Sequence, residues 1–326
     1  MEITASIISE TPDIQLSISG EIIYAHRETR DLHMQIVSPS RIVRPQNSGK
    51  EKPLIVEGVE LPGRHNDGKR QPPGRSIPKS PAVILVPGSG FDGVRGIAVQ
   101  EIDTAVNLAQ RGFTAAIIEY RGSYFDDAHY PAYAQDVKEA VRFLRANAEE
   151  YGVDPDHIAL LGGSSGGHAV AMAGLTPGEE IFDIGDNLNQ SSEVNAVICF
   201  FGPVDPQDLL ADRMEEHKQL RPGEKNYPFE AYEIYAEEFE KDIEKHLFES
   251  SVSNHIRNDV KLPALACFTG DKDGLIPLRQ GLRLCQNVRD AGGVSEFYRI
   301  IGGEHGRGCF FERTYELISK FLRLYI

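Results

Sequence analysis

Short apolar runs alternate with longer amphipathic stretches from about Pro81 onward, and this alternation constrains the fold more than any other feature of the sequence. Six runs are typical of strands: Pro81–Pro87, Thr114–Tyr120, Ile158–Leu161, Asn195–Phe201, Leu262–Thr269 and Glu296–Ile301. Helical stretches separate them, among them Glu101–Gln110 and Pro131–Tyr151, and Glu312–Tyr325 closes the series. Strands that alternate with helices predict a mostly parallel sheet with helices on both faces.

The first part of the chain departs from this alternation. Within residues 1–40, the runs Ile3–Ile8, Ile14–His26 and Asp31–Val37 predict antiparallel strands at one edge of the sheet. Residues 41–79 hold nine basic side chains and six prolines, which predicts an irregular surface excursion. A basic patch that contacts a partner subunit or an anionic substrate is the alternative. We predict one domain over residues 1–326.

A second insertion, residues 205–250, carries fourteen acidic and six basic side chains. Apolar residues share one face at helical spacing, which predicts an amphipathic helix; they are Phe229, Tyr232, Ala236, Phe239, Ile243 and Leu247. The insertion follows a strand at the sheet edge where α/β proteins bind ligands. We therefore predict a helical cap over the site, and a peripheral packed helix is the alternative.

Gly163–Gly167 fits the pattern GxSxG, with a strand-like run before it and small residues after it. A strand that turns sharply into a helix lifts its serine as a nucleophile, and the turn leaves room only for glycine nearby. The pattern predicts that Ser165 is a nucleophile. A plain Gly/Ser-rich turn is the alternative reading of the pentapeptide.

An activated serine needs a base and an acid, and both follow Ser165 at the ends of later strands. Asp273 lies in a glycine-bracketed segment after one apolar run, and His305 lies in another. Asp271 competes with Asp273, but alternation at a strand end points the two side chains in different directions. His168 is closer in sequence to Ser165, yet helical geometry turns it away, so we expect it to pack inside the protein.

Backbone N–H groups are needed to hold the oxyanion that forms on attack. Gly166 follows the predicted nucleophile, and the loop Pro87–Phe91 follows an early strand with small residues. Both are therefore predicted to supply donors. A metal site is not expected, because the cluster of Asp126, Asp127 and His129 has no second group of ligands nearby.

From about Ser80 to its end, the chain resembles α/β-hydrolase-fold serine esterases of the hormone-sensitive-lipase-like and bacterial feruloyl and acetylxylan esterase-like branch. The matching segments are PGSGF at Pro87, EYRGS at Glu119, YPAYAQDVKEAVRFL at Tyr130, YGVDPDHIALLGGSSGGHA at Tyr151, GDKDGLIP at Gly270 and GGEHG at Gly302. The resemblance implies Asp273 as the acid, His305 as the base, and Ser89, Gly90 and Gly166 as oxyanion donors. One departure is PGSG in place of the usual HGGG.

Composition limits the binding partners and the cell compartment that we expect for this chain. The net charge of −15 opposes attraction to nucleic acid or an anionic membrane. No signal-like or membrane-spanning run is evident, and the four cysteines lack CxxC spacing, so we predict a cytoplasmic protein with reduced thiols. No cofactor is expected. The sequence leaves the oligomeric state open, a homo-oligomer included.

The leading hypothesis is a serine carboxylesterase that acts on small soluble esters, with Phe91 and Tyr232 lining the substrate pocket. Acetylated or aromatic-acylated sugars are candidates by family analogy alone. A prolyl-oligopeptidase-like peptidase is an alternative, although about 80 residues before the catalytic region are too few for a β-propeller. A ligand receptor on a hydrolase scaffold is the third hypothesis, and it differs in lacking turnover.

Overall fold

The structure is a computed structural model that describes residues 14–41, 79–96, 99–224, 227–235 and 240–326. The predicted strand Ile3–Ile8 and nearly all of the 41–79 excursion lie outside the described residues. Both therefore stay predictions of the sequence.

A mixed sheet organises the described part of the chain. Its strands are β1 (Ile14–Ile18), β2 (Ile22–His26), β3 (Asp31–Arg41), β4 (Ser80–Val86), β5 (Thr114–Ile118), β6 (Val153–Gly163), β7 (Ala196–Phe200), β8 (Ala264–Gly270) and β9 (Ser295–Ile300). The order is β1-β3-β5-β4-β6-β7-β8-β9, and β2 also pairs with β3. Strands β4 to β9 are parallel, whereas β3 is antiparallel to β1, β2 and β5. The predicted mostly parallel sheet with antiparallel edge strands is confirmed.

Helices cover both faces of this sheet. They are α1 (Val99–Gln110), α2 (Ser123–Asp126), α3 (Ala132–Ala146), α4 (Ala148–Tyr151), α5 (Ser165–Leu175), α6 (Pro206–Glu216), α7 (Phe229–Tyr235), α8 (Ile243–Ser250), α9 (Leu278–Asp290) and α10 (Glu312–Tyr325). Along β4, Val83 and Leu85 belong to one core together with residues of α1 and α10, while Ile84 and Val86 belong to a second core together with residues of α3, α5 and α9. Because successive strand residues face opposite ways, an unbroken apolar run serves two cores.

Buried ion pairs join the antiparallel edge to the parallel sheet. Arg30 on the loop after β2 binds Glu119 and Asp126 with N–O distances of 2.8 and 2.7 Å. Arg27 binds Asp136 of α3 at 2.8 Å. Removing one partner of such a pair leaves an uncompensated charge and costs about 3–5 kcal/mol. Asp126, part of the cluster considered above for metal binding, is therefore engaged in holding the edge strands.

The described residues of the insertion at 205–250 form three helices, and the chain is not helical at Asp242, so the predicted single amphipathic helix from Phe229 to Leu247 is wrong. Helix α7 is described to Tyr235, and α8 begins after Asp242, whose side chain caps it by accepting the N–H of Lys245 at 3.2 Å. An aspartate N-cap starts a new helix because it satisfies an otherwise unpaired backbone N–H. The rings of Tyr235 and His246 stack across α7 and α8, with centroids 4.2 Å apart.

Part of the insertion packs near the carboxyl ends of the parallel strands. Arg213 of α6 is buried and donates to the carbonyl of Leu275 at 3.0 Å, and Leu275 lies in the loop after β8. Tyr130, in the loop before α3, donates its backbone N–H to Ile234 of α7. The insertion thus borders the site edge, and a covering role over the site stays a prediction.

Candidate active site

Ser164 forms the turn between the end of β6 and the start of α5. Its backbone angles are φ 56° and ψ −126°, a region that side-chain-bearing residues rarely adopt. Such a conformation costs about 1–3 kcal/mol and persists only where the surroundings hold it. It is typical of the sharp strand-to-helix turn that exposes a nucleophilic serine.

Two glycines flank Ser164 at the positions where a side chain would not fit. A Cβ on Gly162 would lie 2.3 Å from the carbonyl oxygen of Gly166, and one on Gly166 would lie 2.1 Å from that of Val86. These residues stand two before and two after Ser164. The close packing therefore centres the GxSxG pattern on Ser164.

His305 lies against this serine and against a carboxylate. Its Nε2 is 2.9 Å from the Oγ of Ser164, and its Nδ1 is 2.9 Å from the Oδ2 of Asp273. Since Nδ1 faces the carboxylate, it carries the proton and leaves Nε2 to accept the hydroxyl proton. The Asp273 side chain is fully buried, whereas His305 remains 22% exposed. A hydroxyl in this arrangement can transfer its proton to imidazole as it attacks.

The Asp273 carboxylate is fixed by its own loop as well as by His305. Its Oδ1 accepts the backbone N–H groups of Leu275 and Ile276 at 2.8 and 2.9 Å. Asp271 instead accepts the N–H of Gly302 at 2.7 Å and binds Arg299, and these partners hold its pKa below the usual range. The two carboxylates thus point in different directions, and the structure places Asp273 beside the histidine.

Ser165, the predicted nucleophile, does not contact His305; its neighbour Ser164 does. Ser165 is the first residue of α5 and is 1% exposed. Its Oγ accepts the backbone N–H of Ser89 at 2.8 Å and lies 3.2 Å from the hydroxyl of Tyr120. The pattern GxSxG fits the chain twice, centred on each serine, and the contact with His305 and the positive φ of Ser164 distinguish the two.

The loop between β4 and α1, which holds the predicted donors Ser89 and Gly90, packs against this turn. The N–H of Ser89 is taken by Ser165, so it is directed at the protein. Gly90 has φ +65° and borders open space, since a Cβ there would meet nothing within 4 Å. Gly166 packs against Val86, and the residue that follows Ser164 is Ser165, whose N–H begins a helix and lacks an intrahelical acceptor.

The structure describes the side chain of only one of the two predicted pocket residues, Phe91 and Tyr232. Phe91 is 3% exposed and packs inside the core, with its ring centroid 5.6 Å from that of Tyr133 and 5.3 Å from that of His168. The side chain of Tyr232 lies outside the described residues. Phe201 was missed: it follows β7, and its ring centroid lies 4.8 Å from that of His305. Its position directly after a predicted strand was the sequence signal that could have placed it near the site.

Burial keeps the side of the turn opposite His305 neutral. Desolvation raises the pKa of Tyr120 to about 12. Desolvation also lowers the pKa of His168 to about 4, and the ring bonds to the carbonyl of Ser250 at 2.8 Å. His168 is fully buried, as its place on α5 predicts.

A cavity of about 680 Å³ opens at the other edge of the sheet. Its lining includes Pro155, Asn195 and Pro263, which precede or begin strands, so it lies at their amino ends. Ligands of open α/β sheets bind at the carboxyl ends, which is where Ser164 lies. Within the described ranges, no three His, Cys, Asp or Glu side chains converge as a metal site would require.

Comparison with known proteins places the chain among esterases. The family model BD-FAE matches residues 71–288. Esterase LipQ of Mycobacterium tuberculosis is 26% identical over 271 residues, which are 80% of this chain and 59% of LipQ. The chain spans just over half the length of the first curated relatives it matches.

Solved structures share the fold over nearly the whole chain. A truncated carbohydrate esterase from gut microbiota has a TM-score of 0.70 at 24% identity and covers 94% of this chain and 95% of its own. The esterase Est2 of Thermogutta terrifontis, solved with butyrate bound, has a TM-score of 0.64 at 22% identity, with 97% and 95% covered. The fold is therefore that of α/β-hydrolases. In the part of the chain that the structure describes, no helix is both long and apolar enough to cross a bilayer.

Proposed function

This chain belongs to the BD-FAE family, and from that premise we propose that it hydrolyses carboxylic esters through an acyl-enzyme formed on Ser164. The observation that carries the proposal is the continuous line of hydrogen bonds from Ser164 through His305 to Asp273. Each group has the partner that its role requires: the serine has a base, and the base has a carboxylate that fixes its tautomer.

In the first half of the reaction, the Oγ of Ser164 attacks the ester carbonyl while His305 Nε2 takes the hydroxyl proton. The tetrahedral intermediate places its negative oxygen at the N–H groups of Ser165 and Gly90, which replace the predicted donors Ser89 and Gly166. His305 then passes the proton to the leaving alcohol as the carbon–oxygen bond breaks. Asp273 offsets the positive charge that the imidazole carries between these two transfers.

In the second half, His305 takes a proton from water, whose oxygen attacks the acyl carbon on Ser164. Collapse of the second tetrahedral intermediate releases the carboxylic acid, and His305 returns the proton to Ser164. The acyl group is small in this proposal, which is supported by the butyrate bound in the related Est2 structure. A sugar as the alcohol is supported by the likeness to a carbohydrate esterase.

The test is hydrolysis of nitrophenyl acetate, butyrate and octanoate, combined with labelling by a fluorophosphonate probe. We expect turnover of the short esters and a label on Ser164, located by fragmenting the modified peptide so that Ser164 and Ser165 are distinguished. Ser164→Ala should fold normally and lose at least about 10³-fold in kcat/KM. A label on Ser165, full activity of Ser164→Ala, or no turnover of any ester would contradict the proposal.

A further inference from the structure

A closed set of hydrogen bonds ties the loop at Ser89 to the strand end at Tyr120 and to the start of α5. The Tyr120 hydroxyl donates to the carbonyl of Pro87 at 2.8 Å and lies 2.9 Å from the hydroxyl of Ser89. It also lies 3.2 Å from the Oγ of Ser165, which accepts the N–H of Ser89. Tyr120 and Ser165 are both buried, at 0% and 1% exposure.

Protons can be assigned so that every hydrogen bond in this set has one donor and one acceptor. Because the Tyr120 proton points to Pro87, its oxygen has two lone pairs to accept one proton from each serine hydroxyl. Ser165 gives its proton to Tyr120 and receives the backbone proton of Ser89. A fully satisfied buried network of this kind fixes one arrangement of its members.

The loop needs such support because its own backbone does not favour the shape it adopts. Gly90 and Phe91 are consecutive left-handed residues, with φ of 65° and 69°. That conformation is unfavourable for Phe91 by about 1–2 kcal/mol. The hydrogen bonds from Ser165 and Tyr120 hold Pro87 and Ser89, which lie just before Gly90 and Phe91. They therefore fix the direction of the Gly90 N–H.

We propose that Ser165 and Tyr120 are positioning residues that hold the Pro87–Phe91 loop so that Gly90 can receive the oxyanion, an inference that rests on the proposed function. Neither side chain touches the reacting atoms in this scheme. They act by preorganising a backbone donor, which matters most in the transition state, where the oxyanion forms. The second serine of the pair thereby serves the first.

The test compares Ser165→Ala, Tyr120→Phe and the double variant on nitrophenyl acetate. We expect kcat to fall about 10- to 100-fold while KM changes little, because the lost support affects a contact made chiefly in the transition state. Binding of an aryl trifluoromethyl ketone, which forms a tetrahedral adduct with serine, should weaken by a similar factor. The double variant should lose much less than the product of the two single losses, because both side chains act through one loop.

Tyr24→Phe is the matched control. Tyr24 is 2% exposed, and its hydroxyl donates to the carbonyl of Glu119 at 2.6 Å, next to Tyr120 but outside the network. It should lower Tm as Tyr120→Phe does and leave kcat unchanged. If Ser165→Ala and Tyr120→Phe lower Tm but leave kcat unchanged, the inference is wrong while the proposed function stands. The same holds if they raise KM at constant kcat. An inactive wild-type protein would overturn both.

Discussion

The two sides of the turn at Ser164 differ in exposure and in charge. On one side, His305 is 22% exposed and bonds to the ionisable carboxyl of Asp273. On the other side, Ser165, Tyr120 and His168 are at most 1% exposed, and burial raises the pKa of Tyr120 and lowers that of His168. Under the proposed function, the first side moves a proton, whereas burial on the second side holds protons in place.

The difference shows how one backbone turn gives two adjacent serines separate surroundings. Ser164 follows the strand with a positive φ, and Ser165 begins the helix. Their hydroxyls consequently face opposite sides, one toward His305 and the other toward Ser89. The chemistry of the two side chains is identical, so position alone separates their roles.

The largest effect is expected on the His305 side of the turn, at Asp273, whose own side chain is buried. Asp273→Asn should lower kcat about 10³- to 10⁴-fold, because an amide no longer fixes the imidazole tautomer or offsets its charge. Steady-state kinetics on nitrophenyl acetate measures this loss.

Asp271→Asn is the control for that change. It removes a carboxylate two residues away that binds Gly302 and Arg299 instead of His305. Its kcat should stay within about threefold of the wild type, since the Asp271 carboxylate binds neither His305 nor the turn at Ser164. Equal losses in the two variants would show that loop integrity, and not the carboxylate beside His305, carries the activity.

A smaller effect is expected from the buried side, at Gly88. A Cβ there would lie 2.8 Å from the carbonyl oxygen of Gly163 and 3.0 Å from the Cβ of Ser164. Gly88→Ala must therefore push the loop away from the turn. We expect kcat to fall about tenfold and the unfolding free energy to fall by about 1–3 kcal/mol.

Gly274→Ala is the matching change on the His305 side of the turn, in the loop that carries Asp273. A Cβ on Gly274 would meet nothing within 4 Å, and its φ lies outside the left-handed range. Activity and stability should stay close to those of the wild type. If Gly88→Ala also leaves kcat and stability unchanged, the close contact between loop and turn does not contribute to activity.

Sequence patterns predicted the frame of the site better than its details. Asp273 and His305 could be found because each follows an apolar run and so lies at a strand end. Choosing Ser164 over Ser165 depends on tertiary contacts, such as that of His305 with Ser164 and that of Gly166 with Val86. Those contacts exist only once the strands are in their spatial order.

The same limit explains two other outcomes. Tyr120 ends one strand and Ser165 follows another, so their contact required the order β5-β4-β6. The break between α7 and α8 was readable in part, because an aspartate at position 242 is a good N-cap. The apolar spacing continues across position 242 and gives no sign of the break.

The smallest effect on activity and the clearest effect of pH are expected at His168, on the buried side. Its Nε2 donates to the carbonyl of Ser250, and its buried Nδ1 has no hydrogen-bond partner among the described residues. Protonation would place a charged N–H there without an acceptor. The folded protein therefore holds this ring neutral until the pH nears about 4, whereas the unfolded chain protonates it near 6.5.

The sign of the pH effect follows from that difference. Below pH 6.5 the unfolded chain binds a proton that the folded protein refuses, so the unfolding free energy falls as the pH drops and levels off below about 4. At about 1.4 kcal/mol per pKa unit, the contribution of His168 is about 3 kcal/mol. Urea unfolding of the wild type and of His168→Gln between pH 7 and pH 4 measures it, because all other titrating groups are common to both. The wild type should lose its advantage over the variant across this range, and parallel pH curves would show that His168 is not held neutral by burial.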